Sequence, residues 1–113
     1  MLQTIKNGSY RKINNNSSNI LQFEKTIEIL KQNNINVILL YVPTIDKLEY
    51  IQQAKFDETI SIFEGYTDDQ VEFVNLQETW SHNYSLFYDP IHLNPKGQEQ
   101  ITEELITYLK LNI

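Results

Sequence analysis

The sequence predicts an α/β fold with a three-layer arrangement around a parallel sheet and its elements in the order α-β-α-β-α. Two observations predict it: apolar residues recur at helical spacing in three segments, and two short apolar segments lie between those segments. Strands that alternate with helices pair in parallel through right-handed crossovers. The length of 113 residues and the apolar fraction of 41% suit one globular domain.

The first half of the predicted domain contains one helix and one strand. The helix begins at Ser17 or Ser18, either of which can cap it, and ends near residue 34. Its apolar positions are Ile20, Phe23, Ile27 and Leu30. The segment Val37–Val42 is short, apolar on both faces and stopped by Pro43, which is typical of a strand buried in a parallel sheet.

The second half contains two helices and another strand. Residues 46–64 have a less regular helical pattern, which predicts a bend near Lys55–Asp57 and Gly65 at the C′ position. Residues 71–74 are the second strand, and residues 77–93 are a loop. Asn94 is then the cap and Pro95 the first residue of the last helix. The apolar stripe of that helix is Ile101, Leu105, Tyr108 and Leu109.

Domain organisation and charge limit the partners. Residues 1–18 form a polar segment, and residues 19–113 form the α/β domain. The net charge of −6 repels nucleic acid and anionic membranes, and the densest basic patch is only Lys6, Arg11 and Lys12. No signal peptide or transmembrane segment is evident, which leaves the compartment open. The absence of cysteine removes disulfides, thiolate metal sites and cysteine nucleophiles, and we expect no cofactor.

The loop after the second strand carries the candidate chemistry, because ligand sites form at the carboxyl ends of parallel strands. Asp89 and His92 lie three residues apart on a segment stiffened by Pro90. Histidine is the usual general base near neutral pH, and a carboxylate on its other ring nitrogen fixes the tautomer. Gly97 lets the next helical turn pack closely. The alternatives are a turn or cap role for both residues, or a metal site with His82, whose spacing is not typical of metal ligands.

The block DPIHLNPKG, residues 89–97, followed by an amphipathic helix, resembles the last sequence block of the SGNH (GDSL-type) hydrolases. It is most similar to the SGNH-like acyltransferase branch, which includes alginate O-acetyltransferase-like proteins and the D-alanyl-transfer proteins of teichoic acid. The resemblance implies a flavodoxin-like half-domain in which Asp89 orients His92, the base of a Ser-His-Asp triad. It also implies an acyl ester or glycan substrate, and the branch is often extracytoplasmic.

The nucleophile that this resemblance requires is not evident. None of the six serines follows a strand in a Gly-Asp-Ser context, and Ser9, after Gly8, comes nearest to one. Asn75 and Asn94 are better interpreted as strand-end and cap residues than as oxyanion donors. We therefore expect the C-terminal half of an SGNH domain that is inactive alone, or a non-catalytic remnant or interaction module of the same fold. The second of these hypotheses predicts self-association through an uncovered sheet edge.

Aromatic residues are concentrated close to the candidate site. They are Trp80, Tyr84, Phe87 and Tyr88. They could line an acyl or sugar pocket, but packing beside the sheet is the favoured interpretation.

Overall fold

A computed structural model describes residues 13–112 of the chain, so Ser9 and the basic residues Lys6, Arg11 and Lys12 lie outside the described residues. The α-helices are α1 (Ser17–Gln32), α2 (Asp46–Ile51), α3 (Gln53–Glu64), α4 (Gln77–Trp80) and α5 (Pro95–Asn112). The strands are β1 (Val37–Tyr41) and β2 (Val71–Asn75), and a 3₁₀ turn spans Tyr84–Leu86. In the described part of the chain, no helix is long and apolar enough to cross a membrane.

The two strands pair in parallel, as the alternating order of elements predicts. Their register runs from Val37 opposite Val71 to Tyr41 opposite Asn75. The sheet formed by residues 13–112 has two strands. The three-layer, flavodoxin-like arrangement therefore stays a prediction.

Helices contact both faces of this sheet. Phe63 of α3 contacts Phe73 of β2 and Phe23 of α1, with ring centroids 5.7 and 5.4 Å apart. Tyr108 of α5 donates a hydrogen bond to Glu72. Because successive side chains of a strand point to opposite faces, Phe73 and Glu72 lie on different sides of the sheet. Thus α1 and α3 pack on one side and α5 reaches the other.

The predicted cap of α1 is wrong by one or two residues. Asn16, not Ser17 or Ser18, is the N-cap, and its side-chain oxygen accepts hydrogen bonds from the backbone N–H groups of Ser18 and Asn19 at 2.9 and 3.3 Å. Asparagine and serine are similarly good caps, so residue type alone does not choose between neighbours. At the other end, Asn34 takes the left-handed conformation that terminates α1, with φ of 59°.

The predicted bend near Lys55–Asp57 is wrong in position, because the helix is interrupted at Gln52. This residue has φ of −124° and ψ of 33°, outside the helical region, and separates α2 from α3. Its side-chain oxygen accepts a hydrogen bond from the backbone N–H of Ile13 at 2.6 Å. Because this partner is 39 residues away, the residues around Gln52 give no local signal that the helix is interrupted there.

Gly65 lies one position before the predicted C′ position. It is the C-cap residue of α3 and keeps right-handed dihedral angles, φ −64° and ψ −19°. Tyr66 and Thr67 continue the turn by donating to the carbonyls of Phe63 and Glu64 at 3.1 and 3.2 Å. The helix therefore ends in a tightened right-handed turn, which does not require glycine.

A small apolar core joins the segment after β1 to the loop after β2. Its buried members are Ile45, Leu48, Leu86 and Phe87, with Trp80, Tyr84, Ile91 and Leu93 packed against them. The packing interpretation of the aromatic residues is thus confirmed for Trp80, Tyr84 and Phe87. It is wrong for Tyr88, which is 79% exposed.

Candidate active site

The loop that carries Asp89 and His92 is a tight, hydrogen-bonded turn. Phe87 and Leu93 form an isolated antiparallel bridge at its base. Inside it, the backbone N–H of Tyr88 donates to the carbonyl of His92 at 2.8 Å. These two backbone contacts close the loop, so Asp89 and His92 lie on a short segment with a defined backbone conformation.

Asp89 contacts both the backbone and the ring of His92. Its Oδ1 atom accepts hydrogen bonds from the backbone N–H groups of Ile91 and His92, each at 2.8 Å, which is an Asx-turn. The same carboxylate lies against the imidazole, with Nδ1 of His92 3.0 Å from Oδ1 and 2.9 Å from Oδ2. The turn role that competes with the catalytic hypothesis is therefore present, and it brings the two side chains together.

The electrostatics of this pair favour the ionised carboxylate. Partial burial acts to raise the pKa of Asp89, but hydrogen bonds from the His92 ring and from the two backbone N–H groups act to lower it. The charge of a protonated imidazole lowers it further, and the net effect is a pKa below the ordinary value for aspartate. Asp89 is thus ionised near neutral pH, and its carboxylate accepts a hydrogen bond from Nδ1 when that nitrogen of His92 carries the proton.

The other ring nitrogen of His92, Nε2, is available to contact a substrate or a nucleophile. The side chain is 69% exposed, and within residues 13–112 no protein group is hydrogen-bonded to Nε2. With its proton on Nδ1, a neutral imidazole presents Nε2 as an acceptor. The pair can therefore take a proton from a hydroxyl that approaches from solvent.

Backbone hydrogen bonds fix this loop to the carboxyl end of the sheet. The N–H of Ile45, just after β1, donates to the carbonyl of Pro90 at 3.1 Å. The N–H of Asp46 donates to the carbonyl of Ser81 at 2.9 Å. Both Ile45 and Pro90 are buried, so the turn is held by packing as well as by hydrogen bonds.

Two polar contacts that the sequence did not predict also connect the segment after β1 to the segment after β2. Gln77, only 1% exposed, accepts a hydrogen bond from the N–H of Thr44 at 2.9 Å. The Tyr84 hydroxyl donates to Asp46 at 2.5 Å, and this bond, together with burial and the Asp46 charge, raises the pKa of Tyr84 to about 12. Buried glutamine at a helix start has no periodic signature, so only the tertiary structure identifies it.

The start of α5 packs directly on the back of the loop, as Asn94, Pro95 and Gly97 predict. Asn94 caps the helix by accepting from the N–H of Gly97 at 2.9 Å and also donates to the carbonyl of Ser85 at 2.8 Å. A Cβ atom on Gly97 would lie 2.1 Å from the carbonyl oxygen of Leu86. Glycine is therefore required here by close approach of two backbones.

The remaining candidates do not join Asp89 and His92. Asn75 ends β2 and accepts from the N–H of Gln77 at 2.9 Å, the strand-end role that we expected. His82 is exposed, and no group of three or more metal-ligating side chains exists in the part of the chain that the structure describes. No serine hydroxyl within residues 13–112 is hydrogen-bonded to His92; that of Ser85 donates to Asn83 at 2.7 Å.

A cleft of about 400 Å³ lies beside the turn and was not expected from the sequence. Ile91, the residue before His92, forms part of its wall together with Tyr41, Glu49 and Phe56. These residues come from a strand, two helices and the loop. Their assembly therefore depends on the fold rather than on any short motif.

In the comparisons with known proteins, no family model, curated protein or solved structure matches this chain.

Proposed function

We propose that Asp89 and His92 are the orienting acid and the general base of an SGNH-like ester hydrolase or O-acyltransferase. One observation carries the proposal: the Asp89 carboxylate lies 2.9 Å from Nδ1 of His92, and the ring is largely open to solvent. An oriented imidazole with a free Nε2 is what serine-based acyl transfer needs from its base. The resemblance of residues 89–97 to the last SGNH block supports the same assignment.

In the proposed reaction, a serine hydroxyl supplied from outside residues 13–112 attacks the carbonyl carbon of an O-acyl ester. Its proton moves to Nε2 of His92, while Asp89 stabilises the imidazolium that forms. The tetrahedral intermediate collapses, the ester C–O bond breaks, and the leaving alcohol takes the proton from His92. Water or an acceptor hydroxyl, on a glycan for example, then attacks the acyl-serine with the same base.

The experiment is hydrolysis of p-nitrophenyl acetate by the 113-residue chain and by the protein purified from its natural source. We expect His92→Ala to lower kcat/KM of the active form by at least ~100-fold, the usual contribution of a general base. We expect Asp89→Asn to lower it as well, since the amide cannot stabilise the imidazolium. Ser9→Ala, in the same assay, tests the serine nearest to the expected context.

His82→Ala is the matched control, because His82 is the other histidine of the chain and is also exposed. Its activity should equal that of the unmodified protein. Hydrolysis that survives His92→Ala unchanged, or that falls equally in both histidine variants, contradicts the proposed role of His92.

A non-catalytic interaction module is the second candidate, and the exposed apolar surface favours it. Ile38 at the outer edge of β1 is 38% exposed, and Val42, just beyond the strand, is 47% exposed. Uncovered apolar strand edges tend to pair with other strands. This candidate predicts that the chain associates with itself or with a partner. It also predicts no esterase activity even in the unmodified protein, which keeps both histidines.

A further inference from the structure

The cleft beside the candidate active site has the size and position of a small-molecule site. Its volume of about 400 Å³ lies inside the range of roughly 300–1,000 Å³ for ligand pockets. Tyr41, the last residue of β1, and Thr44 of the following loop lie on its wall. Ligands of open α/β sheets bind outside the carboxyl ends of the strands.

Glu49 gives this cleft a negative charge. It is the one charged side chain among the described residues that line the cleft, and it is only partly exposed. Gln77 donates to its Oε2 atom at 3.2 Å, but no lysine, arginine or histidine within residues 13–112 forms an ion pair with it. A carboxylate at the wall of a cleft, with no counter-ion among the described residues, attracts a cationic ligand.

Aromatic rings form the wall next to this carboxylate. Tyr41 and Phe56 pack edge to face with centroids 5.7 Å apart and an interplanar angle of 83°. Burial raises the pKa of Tyr41, and the negative charge of Glu49 raises it further. Aromatic faces and a carboxylate together are the usual chemistry of ammonium recognition.

We infer that this cleft binds a ligand that carries an ammonium group, with Glu49 as its counter-ion and Tyr41 and Phe56 as its aromatic wall. The inference goes beyond the proposed acyl chemistry and does not depend on it. Because Ile91 lines this cleft, an ammonium-bearing ligand would lie beside the turn that carries His92.

The test is titration of the ¹⁵N-labelled 113-residue chain with n-butylammonium chloride, followed by amide chemical shifts. We expect saturable shifts at Thr44, Glu49 and Ile91. The neutral probe 1-butanol has the same alkyl chain and should bind at least ~10-fold more weakly, as expected for loss of a charge-assisted contact. Equal binding of the two probes, or shifts that do not saturate, overturns the inference without any variant.

Glu49→Gln isolates the charge, because glutamine keeps an oxygen that can accept from Gln77. It should weaken n-butylammonium binding by about tenfold and leave 1-butanol binding unchanged. Glu103→Gln removes the same charge from an exposed position of α5 and should leave both titrations unchanged. Equal weakening by both variants would mean non-specific attraction to an acidic protein and would overturn the site. His92→Ala should leave the ammonium titration intact, which separates this outcome from failure of the acyl chemistry.

Discussion

Asp89 combines a structural and a chemical contact in one side chain. Its Oδ1 atom holds the turn through two backbone N–H groups, while the same carboxylate orients the ring of His92. The two roles reinforce each other, because the turn that the aspartate stabilises is the one that brings the histidine to it. An Asp-x-x-His spacing allows both contacts only when the backbone between the two residues forms a turn.

The first prediction concerns the pH dependence of stability. The pKa of Asp89 is lowered in the folded chain, so its charge stabilises the fold above the unfolded value of about 3.9. This contribution is lost as the pH falls through the lower folded-state pKa. The free energy of unfolding of the unmodified chain should therefore exceed that of Asp89→Asn near pH 6, by less than ~1 kcal/mol for so exposed a pair.

Urea denaturation of both proteins at several pH values between 2 and 7 measures this difference. We expect it to shrink as the pH falls below 4. A difference that grows on acidification would show that the carboxylate does not gain stabilising contacts on folding.

The second prediction concerns Gly97. A Cβ atom there would lie 2.1 Å from the Leu86 carbonyl oxygen, a backbone atom that cannot move without shifting the loop. Gly97→Ala should lower the free energy of unfolding by about 1–3 kcal/mol, in the range of overpacking substitutions. It should also displace the Asp89–His92 turn, which two-dimensional NMR would report as shifts at residues 87–93.

Gly65→Ala is the matched control. Its Cβ atom would come no closer than 3.3 Å to a neighbour, and the residue already has right-handed dihedral angles. Stability should change by less than about 1 kcal/mol, since alanine is the better helix former. Equal losses in both variants would contradict a specific close approach at Gly97.

Short-range signals account for the parts of the site that the sequence predicted. Asn94, Pro95 and Gly97 act within one helical turn, and Asp89 acts within three residues of His92. Gln77 and Glu49 were missed because their partners are 33 and 28 residues away. Their roles are set by tertiary packing, which local spacing does not encode.

At the scale of elements, β1 is an apolar strand with one open side. The N–H of Val37 donates to the carbonyl of Gln70, and the carbonyl of Tyr41 accepts from the N–H of Leu76. The backbone N–H and C=O groups of the odd-numbered residues of β1 therefore point towards β2. The peptide groups of Ile38 and Leu40 therefore point the other way, where no strand within residues 13–112 pairs with them. No charged or proline residue within β1 protects this edge.

The third prediction follows from that edge: the chain self-associates through β1. Sedimentation velocity should show dimers or larger species at micromolar concentration, and more of them at high salt, which screens the net charge of −6. Ile38→Lys should restore the monomer, because a charged side chain on an edge strand disfavours pairing.

Ile106→Lys provides the comparison, since Ile106 of α5 is 45% exposed but lies on a helix. It should leave association through the strand unchanged. A stable monomer of the unmodified chain at high salt would contradict pairing through this edge.

Elements were predicted better than their boundaries. The three long helical segments followed from apolar periodicity, which extends over many residues and tolerates local errors. The parallel pairing followed from the alternation of strands with helices. The interruption at Gln52 did not, because it depends on a contact with Ile13 rather than on a helix-breaking residue. The sequence did not predict α4 or the 3₁₀ turn either, because both are too short to show a periodic pattern.

At the scale of the whole molecule, apolar surface remains available for a partner. The exposed large hydrophobic residues of the described chain are spread over its helices, its first strand and its loops: Leu21, Ile29, Ile35, Ile38, Val42, Tyr50, Ile51, Tyr88, Ile106 and Leu111. They are about as numerous as the buried ones. Hydrophobic side chains scattered singly over a surface are common in globular proteins, so their number alone does not mark an interaction site. In the proposed acyl chemistry, a partner would be needed only to bring the nucleophile to His92.

The most direct measurement is the tautomer of His92, obtained from long-range ¹H–¹⁵N correlation of the imidazole rings above their titration range. If Asp89 holds the ring as proposed, neutral His92 carries its proton on Nδ1 and has an unprotonated Nε2, whereas exposed His82 serves as the internal reference. Asp89→Asn should shift His92 towards the reference spectrum. A neutral His92 protonated on Nε2, or indistinguishable from His82 in the unmodified chain, would contradict its role as an oriented general base.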